Sequence, residues 1–132
     1  MRALLCLAVA GVAVMTACGA GSATRPRPIQ LGSTGGNVLG ITVSIKSTGW
    51  SEITGRSSGH RKLTAKRVRL LGREIEQAGL AKSRLCTGTA LPDFATRYIR
   101  LGRQTFRLRG SCEPRFQRVW DDIVRAVGPL PR

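Results

Sequence analysis

Residues 38–56, VLGITVSIKSTGWSEITGR, are the stretch that decides the fold of the globular part. Apolar and polar residues alternate along the first half, which is typical of a strand buried on one face. A three-residue loop ending at a left-handed Gly49 returns the chain and pairs Ser44 with Glu52. A two-residue loop would place Ile45 opposite Glu52, so we reject that register. The stretch therefore predicts a β-hairpin.

A second hairpin is predicted over residues 95–110, ATRYIRLGRQTFRLRG. A type II′ turn at Gly102-Arg103 pairs Leu101 with Gln104. Alternation then divides the strands into a core face and an outer face. The core face carries Ile99, Leu101, Phe106 and Leu108. The outer face carries Tyr98, Arg100, Thr105, Arg107 and Arg109.

Two helices follow the hairpins, one after each. Residues 63–80, LTAKRVRLLGREIEQAGL, have an apolar stripe at helical spacing, with Thr64 as N-cap and Gly79 just past the end. Residues 113–128 have a second stripe, with Pro114 in the first turn. The order β-β-α-β-β-α predicts an α+β domain over residues 38–128. We expect a four-stranded antiparallel sheet with both helices on one face, and a tail over 129–132.

This plan resembles that of small exported bacterial domains of unknown activity. The helix over residues 63–80 carries most of the resemblance, which covers residues 38–128. The resemblance implies a fold and brings no activity with it.

The N-terminus reads MRALLCLAVAGVAVMTACGAG over residues 1–21. Arg2 and an apolar run over residues 3–14, too short to span a bilayer comfortably, indicate a signal peptide over 1–17. Residues 15–18, MTAC, resemble the lipobox of bacterial lipoproteins. That resemblance implies that Cys18 becomes the first mature residue and carries lipid, with acyl chains such as palmitate. The expected location is the extracytoplasmic side of the cell membrane; the alternative is a secreted protein.

Residues 18–37 are rich in Gly, Ser, Thr and Pro and predict a flexible tether. The whole chain has 22 Lys and Arg against 7 Asp and Glu, a formal charge of +15. Such a charge favours anionic partners, which include nucleic acid, acidic lipid and wall polymers. A cell-surface lipoprotein rarely meets nucleic acid, so we expect membrane lipid or wall polymer instead.

Two cysteines, Cys86 and Cys112, lie within the domain. An even pair in an exported protein indicates a disulfide. A redox or metal-binding pair is the alternative, but the chain has no C-x-x-C motif and a single histidine, His60. We therefore expect a disulfide and no metal or other cofactor.

No residue pattern in the chain predicts catalysis. His60 lies in the polar stretch SSGHRK, where we expect a solvated loop. Asp121 and Asp122 point about 100° apart on a helix, so we expect them to bond to Arg118 and Arg125. With no nucleophile elbow and no metal-ligand spacing, we expect a protein that is not an enzyme.

The outer sheet face is the candidate binding surface. Aromatics interleaved with cations on an open sheet suit phosphate-bearing polymers or lipid headgroups, although such cations also keep a sheet soluble. The alternative function is an accessory or inhibitor protein that binds another exported protein. The oligomeric state stays open. The candidate anion-binding residues are Lys46, Trp50, Tyr98, Arg100, Arg107 and Arg109.

The lipidation hypothesis predicts the outcome of replacing Cys18 with serine. In a host that processes lipoproteins, the wild-type chain should be cleaved before Cys18 and gain the mass of the acyl groups, whereas Cys18→Ser should do neither. Intact-mass measurement and membrane fractionation check both. Unchanged mass, cleavage site and partitioning in the variant would exclude lipidation at this residue.

Overall fold

The computed structural model describes residues 24–36, 40–55, 58–86 and 95–128. The expected signal peptide over 1–17, the lipidation residue Cys18 and the tail over 129–132 lie outside these residues. The described part forms seven strands and two helices. In chain order they are β1 (Ile29–Thr34), β2 (Ile41–Ile45), β3 (Trp50–Gly55), β4 (Gly59–Lys62), α1 (Ala65–Gln77), β5 (Ser83–Leu85), β6 (Thr96–Leu101), β7 (Gln104–Arg109) and α2 (Pro114–Val127).

The strands form one mixed sheet in the order β4-β3-β2-β1-β6-β7-β5. Neighbours are antiparallel except β5 and β7, which are parallel. The domain is α+β, but the predicted four-stranded antiparallel sheet is wrong. The two predicted hairpins are present, and three further strands lie between and beside them.

β1 is the largest correction, because its residues were expected to belong to the tether over 18–37. Ile29 and Leu31 are 1% and 0% exposed, so this segment supplies part of the core. The strand pairs with β2 on one side and β6 on the other. Each hairpin would otherwise present an unpaired inner edge, and β1 satisfies the backbone groups of both edges at once.

β4 lies in the stretch where a solvated loop was expected, and β5 lies where the sequence predicts no strand. β4 pairs with β3 and includes His60, which is therefore a strand residue rather than a loop residue. β5 pairs with β7 just before Cys86. Neither strand has a buried side chain, so both are held to the sheet edge by backbone hydrogen bonds.

Both predicted hairpin registers are confirmed. Ser44 faces Glu52, and Gly49 has φ +87°, as the three-residue loop requires. Leu101 faces Gln104, and Gly102 has φ +58°. These registers turn one face of each hairpin inward, so the two hairpins supply most of the apolar surface of the sheet.

The helices cover the inner face of the sheet and begin and end where the capping residues predict. The Thr64 hydroxyl accepts a hydrogen bond from the Arg67 backbone N–H at 3.2 Å, and Gly79 has φ +61°. The inward sheet residues and the helix stripes form one apolar core. The helix residues in that core are Val68, Leu71, Ile75, Phe116, Val119, Ile123 and Val127.

The two domain cysteines lie at disulfide distance. Their Sγ atoms are 2.09 Å apart, and their Cα atoms are 5.6 Å apart. The Cys86 backbone N–H also donates to the Arg109 carbonyl at 2.9 Å. The bridge therefore connects the end of β5, beside β7, to the segment that leads into α2.

The position of β1 predicts that substitutions of its inward and outward side chains differ in their effect on the free energy of unfolding. Leu31→Ala should lower the free energy of unfolding by about 2–5 kcal/mol, because it leaves a cavity in the core. Gln30→Ala, on the outer face of the same strand, should cost less than about 1 kcal/mol. Urea unfolding measures both. Equal and small effects would mean that the segment is a tether after all.

Candidate anion-binding face

The outer face of the sheet is the face opposite the helices. It has no described element packed on it, and the alternation of the strands fills it with polar and charged side chains. The six predicted binding residues all lie on this face. They form two groups rather than one, because β1 lies between the first hairpin and the second.

The larger group is the arginine patch, which consists of Tyr98, Arg100, Arg107 and Arg109 on β6 and β7. Tyr98 lies directly opposite Arg107 in the pairing of these strands. The Arg100 guanidinium donates to the Gln30 and Thr105 side chains, both at 3.3 Å. Arg107 and Arg109 are exposed and make no ion pair with any residue that the structure describes. Their charge is therefore free to meet an anion from solvent.

Tyr98 has a structural role beside any binding role. A Cβ atom added to Gly32 would come within 2.6 Å of the Tyr98 hydroxyl and 2.8 Å of the ring carbon that bears it. The ring therefore lies directly against the backbone of β1, in space that only a glycine leaves open. This contact holds the ring half-buried at the base of the patch.

The smaller group is the tryptophan corner, which consists of Lys46, Trp50, His60 and Lys62. The Trp50 and His60 rings stack with their centroids 5.3 Å apart and their planes at 22°. Trp50 remains 41% exposed. Strands lie about 4.8 Å apart, so β3 is about 14 Å from β6. Lys46 and Trp50 share the face with the arginine patch but are not part of the same cluster.

Charge is distributed unequally between the two layers of the domain. Glu52 is the one acidic residue on the outer face among the described residues. The described ion pairs all involve an acid at α1 or α2, or just before α2. They are Arg27–Glu76, Arg84–Glu113 at 2.6 Å and Arg125–Asp122 at 3.1 Å. The described acids thus pair with three cations on the helical side, and none of them pairs with a cation of the arginine patch.

The acids of α2 are only partly as expected. Asp122 accepts from Arg125 as predicted, whereas Asp121 accepts from the Gln117 amide at 2.7 Å instead of from Arg118. Sequence reasoning missed that Glu74 on α1 and Asp122 on α2 lie close together. Partial burial, followed by hydrogen bonding to Asp122 and the nearby Asp122 charge, raises the pKa of Glu74 to about 7.

Arg97 also points inward, and sequence reasoning did not single it out. Its guanidinium lies over the rings of Phe116 and Trp120, at 5.9 and 5.7 Å from their centroids. It donates to the Gly110 carbonyl at 3.1 Å and to the Gln117 side chain. Burial lowers the pKa of Arg97 from its ordinary value. The contacts assign it to packing between β6 and α2, not to the outer face.

No cluster of three or more potential metal ligands occurs among the described residues. In the same part of the chain, no helix is long and apolar enough to cross a bilayer. No protein-family model matches the sequence, and no curated protein is similar to it.

The raised pKa of Glu74 predicts a pH-dependent stability. Between about pH 4.5, its ordinary pKa, and about pH 7, the folded protein keeps a proton that the unfolded chain has lost. This carboxyl group therefore stabilises the fold less as the pH rises through that window. Glu74→Gln should match the wild type at the acidic end and be more stable by about 1 kcal/mol at the basic end, since water screens part of the effect.

Urea unfolding across this window measures the difference between variant and wild type. Glu76→Gln is the matched control, because Glu76 is an exposed acid on the same helix that pairs with Arg27. A difference that stays constant with pH for Glu74→Gln would contradict the raised pKa of Glu74.

Proposed function

We propose that this chain is a small lipid-anchored, non-enzymatic exported domain that binds anionic, phosphate-bearing polymer of the cell envelope through its outer sheet face. The lipid anchor is the one implied by MTAC at residues 15–18. The binding residues are those of the arginine patch, with the tryptophan corner as a second contact on the same face.

The observation that carries the proposal is the uncompensated charge of the arginine patch. Arg107 lies diagonally across the strand pair from Arg100, and Arg109 lies two residues farther along the same face of β7, with no described carboxylate paired to any of the three. Guanidinium groups suit phosphate because their planar donors bind two oxygens at once. A flat face with several such groups fits a repeating anion better than a small ligand, which needs a concave site.

A second candidate function is the binding of another exported protein, and one observation favours it. Leu85 is 64% exposed on the edge strand β5, beside Arg109. An exposed apolar side chain next to unpaired edge backbone suits strand addition by a partner. Binding anchored by Leu85 would persist at high salt, whereas binding by the arginine patch would weaken steeply.

The proposal predicts the behaviour of a triple variant, Arg100→Gln, Arg107→Gln and Arg109→Gln. Each cation near a dense anionic surface contributes about 1 kcal/mol, so affinity for poly(glycerol phosphate) at low salt should fall about 100-fold. The salt dependence should also flatten, because fewer counterions are released. Folding stability should change little, since exposed charges contribute little to it. Titration calorimetry at several salt concentrations measures the binding.

The matched control removes the same charge from the helices, through Lys66→Gln, Arg67→Gln and Arg115→Gln. These side chains are exposed and form none of the described ion pairs. Equal losses of affinity in both triple variants would mean that the binding depends on net charge alone. Binding to an exported protein that persists at high salt, and that is lost in Leu85→Ser but not in the arginine variant, would favour the protein-binding alternative.

A further inference from the structure

A groove lies on the helical side of the domain, between the first described residues and α1. It has a volume of about 540 Å³, within the range of small-molecule sites. Its floor is apolar and its rim is cationic. The floor consists of Val68, Gly72 and Leu101, and the rim includes Arg25, Arg27, Arg69 and Arg73.

The rim has more positive charge than its own acid can offset. Glu76 is the one acid among the lining residues, and it pairs with Arg27. Arg25, Arg69 and Arg73 form no ion pair with any residue in the described part of the chain. Three guanidinium groups around an apolar floor suit a phosphate group that has an apolar or glycerol-like attachment.

The segment that forms one wall is held in place by the sheet. The Gly102 N–H donates to the Pro28 carbonyl at 2.9 Å. A Cβ atom added to Gly102 would lie 3.6 Å from the Arg27 Cδ, so the Arg27 side chain packs over the β6–β7 turn. These contacts fix the direction in which residues 24–28 leave the domain.

The groove lies beside the point where the chain enters the domain. Ile29 pairs with Ile45 and Leu101, so β1 begins at the end of the sheet where both hairpin turns lie. Cys18 is six residues before Thr24, and that length spans at most about 20 Å. A lipid on Cys18 would therefore keep this end of the domain close to the bilayer surface.

We propose that this groove binds the phosphate headgroup of an anionic phospholipid in the leaflet that holds the Cys18 lipid. The inference rests on the lipid anchor of the proposed function and not on the outer sheet face. Headgroup binding would orient the domain with its helical side and β1 entry toward the bilayer. The outer sheet face, on the opposite side of the sheet, would then be accessible to envelope polymer.

The test uses the chain without residues 1–17 and with Cys18→Ser, so that neither the apolar run nor the lipid holds every variant on the membrane. The probes are vesicles of phosphatidylcholine alone and vesicles that also contain phosphatidylglycerol. Arg25→Gln, Arg69→Gln and Arg73→Gln together should reduce the phosphatidylglycerol-dependent binding at least about tenfold. The helix control of Lys66→Gln, Arg67→Gln and Arg115→Gln should reduce it less than about threefold. Sedimentation of protein with vesicles measures all of them.

A variant that is expected to strengthen vesicle binding keeps the test independent of folding, because loss of folding would not produce that result. Glu76→Gln removes the carboxylate that competes for Arg27, so vesicle binding should strengthen about threefold. Soluble glycerol phosphate distinguishes the source of the anion. If glycerol phosphate at millimolar concentration competes with the vesicles, this supports recognition of the headgroup itself. If the protein binds free glycerol phosphate but no vesicles, the membrane assignment is overturned.

Three results would overturn the inference. They are unchanged vesicle binding in the groove variant, equal losses in the groove variant and the helix control, and loss only in the arginine-patch variant. None of them depends on poly(glycerol phosphate) binding by the outer face. Failure of the groove and failure of the proposed function are therefore distinguishable.

Discussion

The insertion of β1 between the two hairpins is the constraint on which the rest of the domain depends. Each hairpin has one inner edge, at β2 and at β6, and β1 pairs with both. Its inward side chains, Ile29 and Leu31, are almost completely buried beneath the helices. Without this strand, two three-stranded sheets would each have an open edge and half of a core. With it, the sheet is continuous, and the chain enters the domain at the centre of that sheet.

Sequence reasoning could predict the hairpins and the helices because local chemistry determines them. Gly49 and Gly102 require particular turns, and Thr64 and Gly79 cap a helix whose stripe has helical spacing. β1 could not be found in this way. The strand has only two inward apolar residues, Ile29 and Leu31, and they lie within a stretch rich in Gly and Pro. The composition of that stretch predicts a tether, and only the tertiary pairing makes it a strand.

β4 and β5 escaped sequence reasoning for a different physical reason. They lie at the two edges of the sheet and have no buried face, so no apolar periodicity indicates them. Backbone hydrogen bonds to β3 and β7 hold them there, and the Cys86–Cys112 pair lies directly after β5. A strand with no buried face has almost no apolar periodicity in its side chains.

The same distinction applies to the candidate site. Alternation within each hairpin determines which side chains face outward, so all six predicted binding residues lie on the outer face. The distance between the hairpins depends on β1, and this strand separates Trp50 from Arg100. The approach of Glu74 to Asp122, and the groove that Arg25 lines, join residues far apart in sequence. Only the packing of the helices and the entry of β1 bring them together.

The placement of acidic residues connects the fold to the proposed binding. Glu76, Asp122 and Glu113 pair with arginines on the helical side, which lowers the repulsion between helices that both carry several cations. The arginine patch receives no such compensation from the described residues. The position opposite Arg107 in the strand pairing belongs to Tyr98, whose ring lies against Gly32. No described acid therefore lies directly across the strand pair from Arg107, and the face keeps the positive charge on which the proposed binding of an anionic polymer depends.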